Sequence, residues 1–165
     1  MTTEKVSSRE DIARIISTEW IINGILQPTA FTLNRSESYL SVNRPIVETY
    51  DSDVAAFIQG HPSYSISPEE GSYYRAIMSV GDVRKCDVKV GSTQMMIDVE
   101  VEPRDVHTKS HAGIFTRYQD KNIKQGQMIC VNPSEEQIST DTILLEVRTY
   151  LMDIASLEKA LVKFE

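Results

Sequence analysis

Apolar positions change their spacing along this chain, and each change predicts a different element. Near the start, Ile12, Ile15 and Ile16 fall on one face at a helical period, extended by Trp20 and Ile21. Ser7 or Ser8 stands where a cap is wanted, and Glu10 and Asp11 occupy the first turn, where the helix dipole favours acid. The spacing therefore predicts an N-terminal helix, followed by a break between Gly24 and Pro28. From Thr29 the pattern shortens to strand-like pieces at 30–33 and 39–42, where Leu40 and Val42 alternate with Tyr39, Ser41 and Asn43 at period two. A second helix is expected from Ser52, a good cap, to Gly60, carried by Val54, Ala55, Phe57 and Ile58.

The segment 61–71, rich in Pro, Ser and Gly, reads as an ordered loop. Strands are expected at 73–80, 86–90 and 94–101, with turns at Gly81-Asp82 and Gly91-Ser92. In the last of these, Met96, Asp98 and Glu100 alternate with Met95, Ile97, Val99 and Val101, one face acidic and the other apolar, until Pro103 ends it. Two shorter strands are expected at 112–115 and 127–131. Beyond them Leu144, Val147, Leu151, Ile154, Leu161 and Phe164 recur on one stripe, predicting a long amphipathic C-terminal helix capped by Ser139 or Thr140. Ser156 is where so long a helix would break. The expected fold is α+β, with a mostly antiparallel sheet in the middle of the chain between the N-terminal helix and the C-terminal one. Glycines and prolines are scattered rather than gathered into a linker, and no internal repeat occurs, so residues 1–165 are expected to form a single domain.

Composition narrows the function classes. The 165 residues carry 17 basic against 24 acidic side chains, a net charge of −7. Such a chain lacks the basic face that nucleic acid or an anionic membrane surface would require. No apolar run approaches the ~18 residues needed to span a bilayer. The start of the chain lacks an apolar stretch after a basic one, so no secretory signal is expected and the cytoplasm is the expected compartment. Cys86 and Cys130, far apart in sequence, suit neither a metal cluster nor a disulfide framework; they are expected to be reduced and largely buried.

Two stretches are familiar when taken together. The first is Ala30-Phe31 followed by Leu40-Ser41-Val42-Asn43; the second is Val80-Gly81-Asp82-Val83-Arg84 followed by Ser110-His111-Ala112-Gly113-Ile114. Their order resembles a loosely defined group of small uncharacterised bacterial proteins, in which an AF…LSV block precedes a GDVR block and a late HA dipeptide. The resemblance runs over roughly 20–115. The group usually has a proline-containing step before its histidine, where this chain has Thr108-Lys109-Ser110. The group brings no activity with it, so the resemblance implies a bacterial origin and marks positions while leaving the chemistry open.

Several residues are candidates for chemistry. His111, at the entry to a short strand, is the one candidate catalytic residue, as general acid or base, because imidazole titrates near neutral pH. The same residue also reads as a structural histidine bonded to nearby backbone. His107 and His111 stand four apart, yet Thr108, Lys109 and Gly113 support a helix poorly and no third ligand is fixed among His61, Asp105 and Cys86, so no metal site is expected. Ser41 and Asn43 share a strand face with Arg44 beyond, and Arg84 follows Gly81-Asp82; these four are the candidate binding residues for an anion, since arginine offers a planar fork of donors. Ser41 lacks the Gly-x-Ser-x-Gly setting of a nucleophile. No glycine-rich phosphate loop occurs, so no cofactor is expected. Glu69-Glu70 and Glu135-Glu136 read as solvated pairs.

Two functions follow as expectations. The first is a small binding or interaction module for a partner protein or a small anionic ligand, with the C-terminal helix as a surface for a homodimer if its own sheet leaves it uncovered. The second is a small enzyme in which His111 moves a proton while Arg84 or Arg44 holds an anionic, nucleotide-like substrate. They separate on whether Ser41, Asn43, Arg84 and His111 converge on one cleft.

Overall fold

Residues 11–16, expected to be helical, instead form a strand in the interior of a sheet. In a computed structural model, residues 5–33, 37–67, 71–90, 93–95, 97–104, 108–131 and 136–162 are described. Strand β1 (Asp11–Ile16) alternates Ile12 and Ile16 on one face with Ala13 and Ile15 on the other, and all four are buried. A strand covered on both faces reads as an unbroken apolar run, which hides its period of two and mimics one helix face. Three β-branched isoleucines in six residues favour the extended form.

The remaining strands of the main sheet are β2 (Leu40–Asn43), β3 (Ser65–Ser67), β4 (Ser72–Ser79), β5 (Ile97–Pro103), β6 (His111–Tyr118), β7 (Lys121–Asn122) and β8 (Ser156–Leu161). Their order is β7-β6-β2-β1-β4-β8, with β5 paired to β6 and β3 to β4, and every pairing is antiparallel. Hairpins at Ile21–Ile22/Ile25–Leu26, Val88–Val90/Thr93–Met95 and Met128–Val131/Glu136–Ser139 stand outside it. The helices are α1 (Tyr50–Gly60), α2 (Val80–Arg84) and α3 (Thr140–Ile154). The molecule is α+β with the sheet dominant.

The long C-terminal helix is also corrected. Helix α3 ends at Ile154, Ala155 is extended, and 156–161 pair with 72–77 as edge strand β8. The stripe reads as continuous in sequence because Leu161 falls seven residues after Ile154, a helical repeat, although the two belong to different elements; Phe164 lies outside the described residues. Leu144, Val147 and Leu151 are buried with Ile143 in the chain's own core, against Ile12, Met78 and Ile114; Leu161, on β8, is exposed. Each buried aliphatic side chain there contributes about 1.5–3 kcal/mol as an upper estimate. The predicted turn at Gly81-Asp82 is the single-turn helix α2, whose Gly81 amide donates to the Ser8 carbonyl at 3.1 Å.

On the opposite face, α1 lies across β1 and β4. Tyr50, Val54 and Ile58, at helical spacing, pack on Ala13, Ile15 and Tyr73. The acidic side of β5 is solvated at Asp98 but covered farther along the strand. Glu100 and Glu102 are buried, and arginines neutralise them. Among the described residues no helix is long and apolar enough to cross a membrane.

Candidate functional site

The face under α1 carries a cavity of about 240 Å³ where β1 and β2 part. The two strands pair only at Ala13↔Asn43. Beyond that point the guanidinium of Arg14 enters the gap: Nη1 donates to the Ser41 carbonyl at 2.7 Å and Nε to the Ala30 carbonyl at 2.5 Å. Two carbonyls without strand partners are thereby satisfied. Arg14 also stacks over the Trp20 ring, 5.4 Å from its centroid.

The β2–β6 register sets the floor of the cavity. Asn43 lies opposite His111 and Ser41 opposite Gly113, so Ser41, Asn43 and His111 share one face with Ile15, and all four line the cavity. His111 Nδ1 lies 2.9 Å from the Arg104 carbonyl. Donation there places the proton on Nδ1 and leaves Nε2 as the acceptor in the neutral ring. Gly113 leaves room for Tyr39, whose ring lies 6.0 Å from His111, 5.1 Å from Phe115 and 5.0 Å from the Arg104 guanidinium.

Helix α1 and the turn after it supply the wall. Asp53 and Phe57, one helical turn apart, both line the cavity, as do Tyr64 and Thr108. Asp53 Oδ2 accepts from Ser110 Oγ at 2.6 Å, Ser110 N–H at 3.1 Å and Thr49 Oγ1 at 2.9 Å. Ser110 Oγ in turn accepts from Asn43 Nδ2 at 2.9 Å, so α1 and β2 are tied through Ser110. Phe57 stacks on His61 at 4.3 Å and meets Tyr64 edge-on at 5.0 Å; Tyr64 meets Trp20 edge-on at 5.7 Å.

Electrostatically the site turns on Arg14. Burial lowers its guanidinium pKa to about 10, with the neighbouring Tyr64 and Glu37 acting the other way, so it stays charged at neutral pH. Burial likewise raises the Tyr64 phenol, against the pull of Arg14. Among the described residues no carboxylate comes within 4.0 Å of the Arg14 guanidinium. A cation drawn out of water with its counter-charge, Glu37, beyond contact distance is costly, and a planar fork of donors suits a carboxylate.

Three of the five residues singled out from the sequence, Ser41, Asn43 and His111, thus meet in one cavity, and two do not. Arg44 is held bidentate by Glu10, with both hydrogen bonds at 2.9 Å. Arg84 is engaged by the buried Glu100, by Ser8 Oγ at 2.7 Å and by the Val6 carbonyl. Both arginines tie strands to the segment before β1, because each has a carboxylate or carbonyl within reach that sequence spacing does not reveal. Sequence reasoning misses Arg14, Asp53, Phe57 and Tyr64. Arg14 does carry a signal: it is a charge inside the apolar run 12–16, which a buried strand tolerates only where the chain provides acceptors.

His107 lies outside the described residues, and His111 opens a strand rather than a helix. Among the described residues no cluster of three or more His, Cys, Asp or Glu is arranged to hold a metal ion. Cys86 is buried and Cys130 exposed, which corrects the expectation for the second thiol. No family model, curated protein or solved structure matches this chain, so the geometry alone carries the functional argument.

Proposed function

We propose that the protein binds a small carboxylate ligand in the cavity between α1 and the sheet. The observation that carries this reading is the half-buried Arg14 guanidinium, which donates to two carbonyls and, among the described residues, has Glu37 acting on it only from beyond ion-pair distance. It takes the anion-holding role expected of Arg44 and Arg84. Ser41 and Asn43 add polar groups beside it, while Phe57 and Tyr64 offer ring faces. A cavity near 150 Å³ accepts benzene. Scaling to 240 Å³ gives room for about ten non-hydrogen atoms, the size of an aromatic acid such as benzoate.

The test is calorimetric titration with benzoate, and with benzamide as its neutral counterpart. Benzoate binds saturably and more tightly than benzamide. Arg14→Met costs about 1.5–3 kcal/mol, roughly ten- to 150-fold in affinity, as expected for hydrogen bonds to a charged partner. Because Arg14→Met also strands two carbonyls, Tyr64→Ala serves as a second variant that leaves Arg14 in place and weakens binding through the lost ring. Equal binding of acid and amide, or benzoate affinity indifferent to both substitutions, would refute the reading.

A second reading, a small enzyme, is favoured by one observation: the Arg104 carbonyl sets the tautomer of a histidine lining the same cavity. In that reading Arg14 holds the substrate anion and His111 transfers a proton. For any substrate turned over, His111→Gln lowers kcat by about 10²–10⁴. An unchanged kcat removes His111 from the chemistry.

A further inference from the structure

The opposite face of the sheet carries a second cavity, of about 320 Å³, between α3, the 28–31 turn and strands β2 and β6. Phe31, Leu33, Leu40, Ile114 and Val147 give it an apolar wall, and Thr116, Gln125 and Thr142 add polar groups. Among the described residues one cation lines it. Arg148, on α3, donates from Nη1 to Thr32 Oγ1 at 3.0 Å, while its Nε is buried and has no acceptor. Among the described residues no carboxylate pairs with it. An unsatisfied donor in a protein interior is rare, and a guanidinium with one acceptor in place has a fork suited to a carboxylate. Asp141 lines the cavity seven residues earlier, about 10 Å away along the helix axis, where its Oδ1 accepts the Gly126 amide at 2.8 Å.

A chamber with an apolar wall, a cation at one end and a carboxylate at the other fits an amphiphile with a single anionic head. We propose that this cavity binds a medium-chain monocarboxylate, its head on Arg148 and its chain along the β2–β6 face. Scaled from the roughly 150 Å³ that accepts the six carbons of benzene, 320 Å³ holds about twelve heavy atoms, the size of decanoate. Seating the head turns the Nε edge of Arg148 toward the cavity and supplies the acceptor that this donor lacks. The Asp141 carboxylate opposes a second acid group at the far end. The site shares no lining residue with the cavity under α1, and neither proposal depends on the other.

The experiment titrates the full chain with decanoate, 1-decanol and decanedioate, read by calorimetry and by backbone amide shifts. Decanoate binds saturably, shifting the amides of Thr32, Ile114 and Val147, and 1-decanol binds about tenfold more weakly or worse for want of the charged hydrogen bond. Decanedioate binds more weakly than decanoate. Arg148→Met brings decanoate down to the level of the alcohol, and Leu145→Trp, at an exposed lining position, weakens both. The proposal is overturned if acid and alcohol bind alike, or if Arg148→Met leaves their ratio unchanged. It is also overturned if decanoate shifts Ser41 and His111 instead, which would assign it to the cavity under α1. Should Arg148→Met not fold, the wild-type amide shifts and the acid-to-alcohol ratio decide.

Discussion

Gly113→Ala probes the packing that holds His111. A Cβ built on Gly113 meets Tyr39 Cδ2 at 2.5 Å and Cγ at 2.9 Å, with Phe115 Cε2 at 3.1 Å. Carbon atoms in contact prefer about 3.5–4.0 Å, so the Tyr39 ring must retreat by roughly 1 Å. Overpacking of this kind costs about 1–3 kcal/mol. Displacing Tyr39 also weakens its contact with Phe115, worth about 0.5–1.5 kcal/mol, and its cation–π contact with Arg104, worth about 0.5–1 kcal/mol. Against these stands the gain of about 0.5–1 kcal/mol for replacing a glycine inside a strand. The net is a loss of about 2 kcal/mol, which for a chain of this length lowers Tm by roughly 4–8 °C. Thermal unfolding of wild type, Gly113→Ala, Tyr39→Ala and the double variant forms a cycle. If the ring is the cause, Gly113→Ala costs little once Tyr39 is gone, and the two substitutions are strongly non-additive. Additive losses, or a Gly113→Ala protein as stable as wild type, would show that the ring does not depend on the missing side chain.

Further predictions concern the groups outside the cavities. Burial pushes the Glu100 carboxyl up, but hydrogen bonds from the Val101 amide, Arg84 and Lys5 bring it net below its ordinary value. A depressed carboxyl stabilises the fold above its unfolded pKa of about 4.3, and that contribution is lost as pH falls through the folded value. Urea midpoints of Glu100→Gln therefore fall less between pH 7 and pH 3 than those of wild type; parallel curves would contradict the assignment. Arg84→Met strands the Glu100 carboxylate and costs about 3 kcal/mol, the lower end for a broken buried pair because Lys5 Nζ remains at 3.2 Å. Its benzoate affinity stays at the wild-type level, which separates Arg84 from the cavity; a loss of binding would return it there. Burial pushes the Cys86 thiol up to about 12, with Asp87 and Glu146 adding to the effect, while Cys130 is exposed. Disulfide-exchange labelling at pH 8 thus modifies one thiol in the native protein and both in denaturant, and Cys130→Ser abolishes the native reaction. Two native equivalents would place Cys86 at the surface.

Local signals in the sequence were reliable where a period of two or a run of strand-forming residues was bounded by turn residues. The alternation at 40–43 became β2 and 73–80 became β4 nearly to the residue, whereas the break expected after Gly24 is a hairpin turn, with Asn23 and Gly24 at positive φ, 52° and 77°. Signals failed where burial on both sides erased the period, as in β1, or where helix and strand positions fell on one imagined stripe, as from Leu144 to Leu161.

The site divides along the same line. By itself the sequence determined that Ser41 and Asn43 share a strand face and that His111 opens a strand, because period-two geometry is local. It also determined the balance of charge. Only the tertiary structure decided which arginine meets them. Arg44 finds Glu10, 34 residues away, and Arg84 finds Val6, 78 residues away, whereas Arg14 finds two carbonyls where β1 and β2 part. A guanidinium binds whichever acceptor the fold brings within about 3 Å. That pairing depends on strand order and register across the whole sheet, which spacing along the chain does not encode.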